Sequence, residues 1–280
     1  MRVVVTGAGG NIGRAVVTRL HRAGSAVVAL TLEPATFPGT GARVVVGSAG
    51  DPDVVAEAFE GPVDAVIHLA AIPAPTLGTA LDVFSGNTRA TFVVLDEAAR
   101  RGVPRAVLAS SYALLGMPFS PHDLHPPHYP LDEQTPPQVE DPYALSKLVD
   151  ELTGEMIHRR HGMDVVALRF PFTGDTPRLE KAAAEMRADP AAGARNSWAY
   201  LHVDDAAEAA WLAASRPLKG FHRLFLAAPE TLSPQPTEEL IAAHHPGVPV
   251  RTPIEGRRVP IDTGAAERLL GFRAAYTLPL

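Results

Sequence analysis

At 280 residues the chain can bury one large α/β core with a smaller attached lobe, and 46 % hydrophobic against 20 % charged residues is the balance of an ordinary globular protein. A formal net charge of -6 without any basic block excludes a nucleic-acid surface, and zero cysteines remove disulfides, thiolate catalysis and Cys-based zinc sites together. No apolar run approaches the ~20 residues of a membrane span, and the amino terminus enters a strand pattern without a signal-type n-region, so a cytoplasmic protein is expected.

In chain order, the first half alternates short β-branched runs with longer amphipathic segments, the rhythm of βαβ units in a parallel sheet. Strands are expected at Arg2–Thr6, Ala26–Thr31, Arg43–Val46, Val63–Leu69, Arg105–Ser110 and Asp164–Arg169. Between them lie helical patterns at about Asn11–Arg22, Asp53–Phe59, Thr79–Arg101 and Tyr143–Arg160, with Gly24, Gly61, Gly102 and Gly162 as their stops. After Arg169 the rhythm changes to a loop, a short polar and Ala-rich stretch to Ser197, a helix capped by Asp204 or Asp205, and a Pro-rich tail. Prolines cluster at Pro73–Pro75, Pro118–Pro142 and beyond Pro229, and the first two clusters fall where the carboxyl-end loops of a sheet belong.

Thr6–Gly13 reads TGAGGNIG, directly after the first strand and opening the first helix. In that context Gly7, Gly10 and Gly13 give the tight turn, the close backbone approach to a pyrophosphate and the close helix–strand contact, with the helix N-terminus facing the negative charge. The expected fold is therefore α/β, a Rossmann-type doubly wound parallel sheet of about six or seven strands over residues 1–170. A small substrate lobe over 171–280 packs on it, with the 200–215 helix returning to the first part. At the end of the second strand, where an acid normally meets the adenosine ribose, stands Thr31. Glu33 lies two positions later, before Pro34, and reads equally as a ribose partner or a solvated carboxylate. Without an acid at 31 the 2′-phosphate of NADP is less repelled, and Arg14 is placed to pair with it. The cofactor is expected to be NAD or NADP, with a lean to NADP.

Asp141–Lys147 reads DPYALSK, so Tyr143 and Lys147 share one face of a helix capped by Asp141 with Pro142 at its first position. Free Tyr titrates near 10, and an ammonium one turn away brings its proton chemistry toward neutrality. A hydroxyl to hold a substrate oxygen is available at the end of the fifth strand, where Ala109–Gly116 reads ASSYALLG.

On TGAGGNIG, HLAA at His68–Ala71, Asn87, ASSYALLG, PYALSK, LRFP at Leu168–Pro171 and YLHVDD at Tyr200–Asp205, the chain resembles the short-chain dehydrogenase/reductase superfamily, extended epimerase/dehydratase-like type. The resemblance covers most of residues 1–215. It implies that Tyr143 is the acid/base, Lys147 its ribose-binding partner, and Ser111 rather than Ser110 the serine that orients the substrate oxygen. It further implies a cofactor lined by Gly7, Gly10, Asn11, Ile12, Gly13, Arg14, Thr31, Ser48, Leu69, Ala70, Ala71, Asn87, Ser110 and Phe170 together with Tyr143 and Lys147. The implied reaction is hydride transfer between nicotinamide C4 and a carbinol or carbonyl carbon.

Three departures from the family pattern bear on substrate and cofactor. Thr31 and Ser48 replace the acids of the adenosine end, while Asp51 reads as the cap of the next helix. Phe172 stands where sugar-nucleotide epimerases carry an Asn, and the stretch between Gly174 and Trp198 is short for a nucleotide-sugar lobe. The compact lobe resembles uronate dehydrogenase-like members, so a small free sugar, sugar acid or similar metabolite is the expected substrate, met by Ser111, Tyr112, His128, Phe172 and Arg178. Arg178 is the carboxylate anchor by position, with a solvated arginine as the other reading. A nucleotide-sugar epimerase or dehydratase without net redox, and a non-catalytic NAD(P)-binding sensor, remain as alternatives.

His122, His125 and His128 recur at three-residue spacing beside Asp123, but a Pro-rich loop does not focus imidazoles, so a loop over the substrate pocket is expected rather than a metal site. His202 reads as structural, and Trp198 and Tyr200 as lining the substrate side. The apolar stripes of the third and fourth helices resemble the pair through which the family forms homodimers.

Overall fold

The computed structural model describes residues 1–279. Its strands are β1 (Arg2–Thr6), β2 (Ala26–Thr31), β3 (Arg43–Val46), β4 (Ala65–His68), β5 (Arg105–Ser111), β6 (Asp164–Phe170), β7 (Phe172–Gly174), β8 (Tyr200–His202) and β9 (Phe221–Phe225). The helices are α1 (Asn11–Arg22), α2 (Pro52–Ala58), α3 (Ala80–Arg100), α4 (Pro142–His161), α5 (Thr176–Ala188), α6 (Val203–Ser215), α7 (Thr237–His244) and α8 (Gly264–Leu270). Seven strands form one parallel sheet in the order β3-β2-β1-β4-β5-β6-β9, and β7 pairs with β8 in a separate two-stranded sheet.

The strands are apolar nearly throughout because both faces of the sheet are covered. Val3 and Val5 point toward α1, α6 and α8, whereas Val4 points toward α2 and α3, as the two-residue side-chain period requires. A second apolar cluster, around Tyr129, Trp198, Tyr200 and Phe225, joins the loop after β5 to α5, α7 and the carboxyl-terminal segment.

Most element bounds of the first half fall where the sequence places them. β4 is shorter than Val63–Leu69, although the Asp64 and Leu69 amides still donate to Arg2 and Thr6 carbonyls across the gap to β1. The helix at 203–215 is capped by neither Asp204 nor Asp205. His202 caps it, its Nδ1 accepting from the Asp204 amide at 3.2 Å. Asp205 instead accepts from the Ala275 and Tyr276 amides, 3.0 Å each, and ties down the end of the chain. The Ala-rich stretch is a full helix, α5, whose cap Asp175 accepts from the Arg178 amide. Trp198 and Tyr200 lie in the second core rather than along a substrate wall, with their polar tips on Pro190 O and the Leu278 amide.

Candidate active site

The chain reverses direction in strand order between β1 and β4, which opens a crevice at the carboxyl ends of the strands. Two glycines of the first loop are fixed by sterics. Gly7 has φ +65, and a Cβ there would stand 2.7 Å from the Leu69 carbonyl carbon and the Ala70 amide nitrogen. At Gly13 a Cβ would lie 2.2 Å from Gly7 O. Gly10 is different, since a Cβ would meet only Gly7 O at 3.4 Å, so the packing of the chain does not itself require a glycine there.

Helices α2 to α6 each begin on a side-chain cap, from Asp51, Thr79, Asp141, Asp175 and His202. α1 begins on Gly10 with no side-chain cap and no acid in its first turn, so its positive end faces the crevice uncompensated. Ile12 is partly buried beneath it and Asn11 is exposed. Thr31, buried at the end of β2, packs beside the loop, with its methyl 3.6 Å from the Cβ position of Gly9. Arg14 bridges the same corner, its Nε donating to Gly9 O at 3.0 Å and its Nη1 to Thr36 O at 3.2 Å, 5.6 Å from the Phe37 ring. Ser48 is exposed and its Oγ accepts from the Gly50 amide.

Asn87 on α3 holds the segment after β4 and α4 together. Its Oδ1 accepts from the Ile72 amide at 2.7 Å, and its Nδ2 donates to Ile72 O at 3.1 Å and to Ser146 Oγ at 3.0 Å. That fixes Leu69–Ala71 beside the glycine loop and places Ser146, between Tyr143 and Lys147, from behind. Tyr143 packs with Ala113, Ala144 and Val83, and Phe119 meets its ring edge-on with centroids 6.0 Å apart. Ser111 heads the tight turn Tyr112–Leu115, its Oγ accepting from the Ala113 amide, and Ala113 of that turn packs with Tyr143. The Lys147 ammonium stands 5.8 Å from the centre of the Tyr143 ring and donates to Asp150 Oδ2 at 3.0 Å. Burial works against that charge, but the Asp150 carboxylate and Tyr143 outweigh it and raise the lysine above its ordinary pKa. His68, held between Thr6 Oγ1 at 2.7 Å and Thr91 Oγ1 at 3.0 Å, is pushed down to about 3 by burial and by the Lys147 charge, so it stays neutral.

Other residues expected at the site are committed elsewhere. The Ser110 hydroxyl donates to Glu151 Oε1 at 2.6 Å, inside a buried cluster in which Glu151 also accepts from Arg169 and Arg223. The Tyr112 hydroxyl meets Ser197 Oγ at 2.7 Å in the second core, and burial drives its pKa up. His128 Nδ1 lies on Pro130 O, while His122 and His125 turn to Glu140 and His245, so the three imidazoles do not converge. Phe170, the last residue of β6, is buried in the core. Phe172 and Arg178 are brought together, the guanidinium 4.9 Å from the ring centre.

Among the described residues three buried side-chain polar atoms lack a hydrogen-bond partner, Thr31 Oγ1, Asp141 Oδ2 and Asp150 Oδ1. Buried polar groups are almost always satisfied in folded proteins. Here the exceptions belong to the adenosine corner and to the helix that carries Tyr143 and Lys147. The uncapped α1 terminus, the bare Gly10 and the Thr31 hydroxyl beside the glycine loop fit a dinucleotide laid across the crevice. Sequence reasoning missed Asp150 and Glu151, because two acids eight and nine residues beyond the Pro142 helix start look like any solvated helix face.

Known proteins agree with this architecture. The family model described as NAD dependent epimerase/dehydratase family matches residues 3–225. An L-arabinose 1-dehydrogenase (NAD(P)(+)) of Haloferax volcanii is 33 % identical over 175 residues, 60 % of this chain and 66 % of that protein. A UDP-glucose 4-epimerase of Azospirillum brasilense is 30 % identical over 182 residues, 60 % of this chain and 48 % of that one. The chain thus spans less than two thirds of the length of these relatives. A short-chain dehydrogenase/reductase superfamily protein of Agrobacterium tumefaciens, solved with bound NAD, superposes with a TM-score of 0.72 at 28 % identity, covering 99 % of this chain and 93 % of that one. By the match along residues 3–225 and the fold that carries it, the chain belongs to the NAD dependent epimerase/dehydratase family.

Proposed function

We propose that the protein is an NAD(P)-dependent oxidoreductase acting on a small polar substrate, a free sugar, sugar acid or similar hydroxy or keto metabolite. The observation that carries this reading is the Tyr143–Lys147 pair on α4, with Ala113 of the turn headed by Ser111 packed against Tyr143. The cofactor supplies the hydride acceptor or donor. Gly7, Gly10 and Gly13 would let its pyrophosphate approach the α1 N-terminus, and Lys147 would meet the nicotinamide ribose. Ser111 orients the substrate oxygen, and Tyr143 takes the hydroxyl proton as the hydride leaves carbon, or returns it in the reverse direction. Phe172 and the exposed Arg178 above it form a surface for a substrate carboxylate. NADP is the favoured cofactor, since no acid closes β2 and Arg14 stands at the adenosine corner. The protein acts as a homodimer through α3 and α4, whose Phe92, Leu145, Leu152 and Met156 are exposed.

The test is a panel of free sugars, sugar acids and keto compounds scored for net change in NAD(P)H absorbance, with UDP- and dTDP-sugars alongside. Turnover of a free sugar or acid, abolished in Tyr143→Phe while cofactor binding survives, is the expected result. Isomerisation of a nucleotide sugar without net redox moves the assignment to an epimerase, and cofactor binding with no turnover moves it to a sensor. Retained activity in Tyr143→Phe sinks the mechanism.

A further inference from the structure

Asp150 has no part in the reading above, yet it is the residue that Lys147 holds. Its Oδ2 accepts from the ammonium at 3.0 Å, one turn on along α4, and both side chains are 3 % exposed. Its Oδ1 is buried without a partner. Two charges taken out of water are expensive, and a half-satisfied carboxylate leaves part of that cost unrecovered, so an apolar side chain at 150 would serve the packing of α4 better. The groups that face Lys147 are Tyr143 and Asp150 from α4 and the neutral His68 from β4. Asp150 is the anion among them.

We propose that Asp150 is a positioning residue for the Tyr143–Lys147 pair, its carboxylate keeping the Lys147 ammonium charged and in place up to alkaline pH. This rests on the reading of Lys147 as the group that meets the cofactor ribose. The sign follows from the two opposing effects on the lysine. Burial favours the neutral amine and the adjacent carboxylate favours the ammonium, and with both present the balance lies on the charged side. Remove the carboxylate and burial is opposed by Tyr143 alone, so the proton is lost at lower pH and the ribose loses its cationic partner.

The experiment follows the dissociation constants of NADH and NADPH by nicotinamide fluorescence, from about pH 7.5 to about pH 9.5, for the full chain and for Asp150→Asn, Asp150→Glu and Lys147→Met. The unaltered protein and Asp150→Glu are expected to hold within about twofold across the range, while Asp150→Asn weakens by about fivefold or more toward its alkaline end. Superimposed curves for Asp150→Asn and the unaltered protein overturn the proposal. If Asp150→Asn fails to fold, the unaltered protein decides by itself, because loss of binding with a midpoint below about pH 9 means that the lysine is not protected. Lys147→Met separates the two failures. A constant unchanged from the unaltered protein removes the ribose role of Lys147, whereas weakened binding there beside superimposed curves removes the role of Asp150 alone.

Discussion

In the proposed reading, Arg14 and Thr31 together set the character of the adenosine corner. The guanidinium is exposed, spends one donor each on Gly9 O and Thr36 O, and has further N–H groups free for an anion. Thr31 contributes a hydroxyl without a partner where an acid would repel a phosphate. Arg14→Ala is expected to weaken NADP about tenfold and NAD by much less, because one charge-assisted contact to a phosphate is worth about 1.5–3 kcal/mol and part of it is screened at an exposed site. Dissociation constants for both cofactors in both proteins check this. Equal losses for NAD and NADP would place Arg14 in loop support instead. At this scale the sequence was informative wherever a residue type has few reasons to be where it is, as with the glycines before α1 or a Tyr and Lys one turn apart. It was silent about Asn87's three hydrogen bonds to the segment after β4 and to Ser146, which depend on how α3 and α4 lie against each other.

α4 is an element whose two ends do different things. Its first two turns carry Tyr143 and Lys147, and its middle carries Glu151, which is 1 % exposed and accepts from Ser110 on β5, Arg169 on β6 and Arg223 on β9. Those bonds tie the helix to three adjacent strands. Glu151→Gln removes the counter-charge of a buried Arg169 and is expected to destabilise the fold by about 3 kcal/mol, since an unpaired buried charge is costly. Urea denaturation, read as a lowered midpoint with an unchanged slope, measures it, and a loss under ~1 kcal/mol would show that the arginines find other partners. The same cluster explains why β9 was hard to see in the sequence. Phe221–Phe225 reads FHRLF after Gly220, with a charge in the middle of a strand. Arg223 is acceptable there because Glu151 and Glu155 receive it, each at 2.9 Å, and neither acid is near it along the chain. α5 falls in the polar and Ala-rich stretch and is hard to see for a different reason, since its Ala and charged residues lack a strong apolar stripe and only the Asp-Thr-Pro start marks a helix.

For the whole molecule, α3 and α4 leave an exposed apolar stripe on the sheet's second face. Leu145, Leu152 and Met156 recur at helical spacing and are 38–52 % exposed, with Phe92 of α3 at 49 %. Sedimentation equilibrium is expected to give twice the 29.6 kDa chain mass, and Leu152→Asp the single mass with the fold retained by circular dichroism. A single mass for the unaltered protein at micromolar concentration would overturn the homodimer. The two halves of the molecule are also joined from within. Tyr112 follows Ser111 directly, and its hydroxyl ends in a buried chain through Ser197 Oγ to the Tyr129 hydroxyl, 2.7 and 2.8 Å long. For protein engineering this sets a rule of transplantation. A substrate lobe taken from one relative and grafted onto this sheet would bring its own anchor at 197, and Tyr112 and Tyr129 would have to be matched to it, or the turn headed by Ser111 would lose the stake that holds it in place.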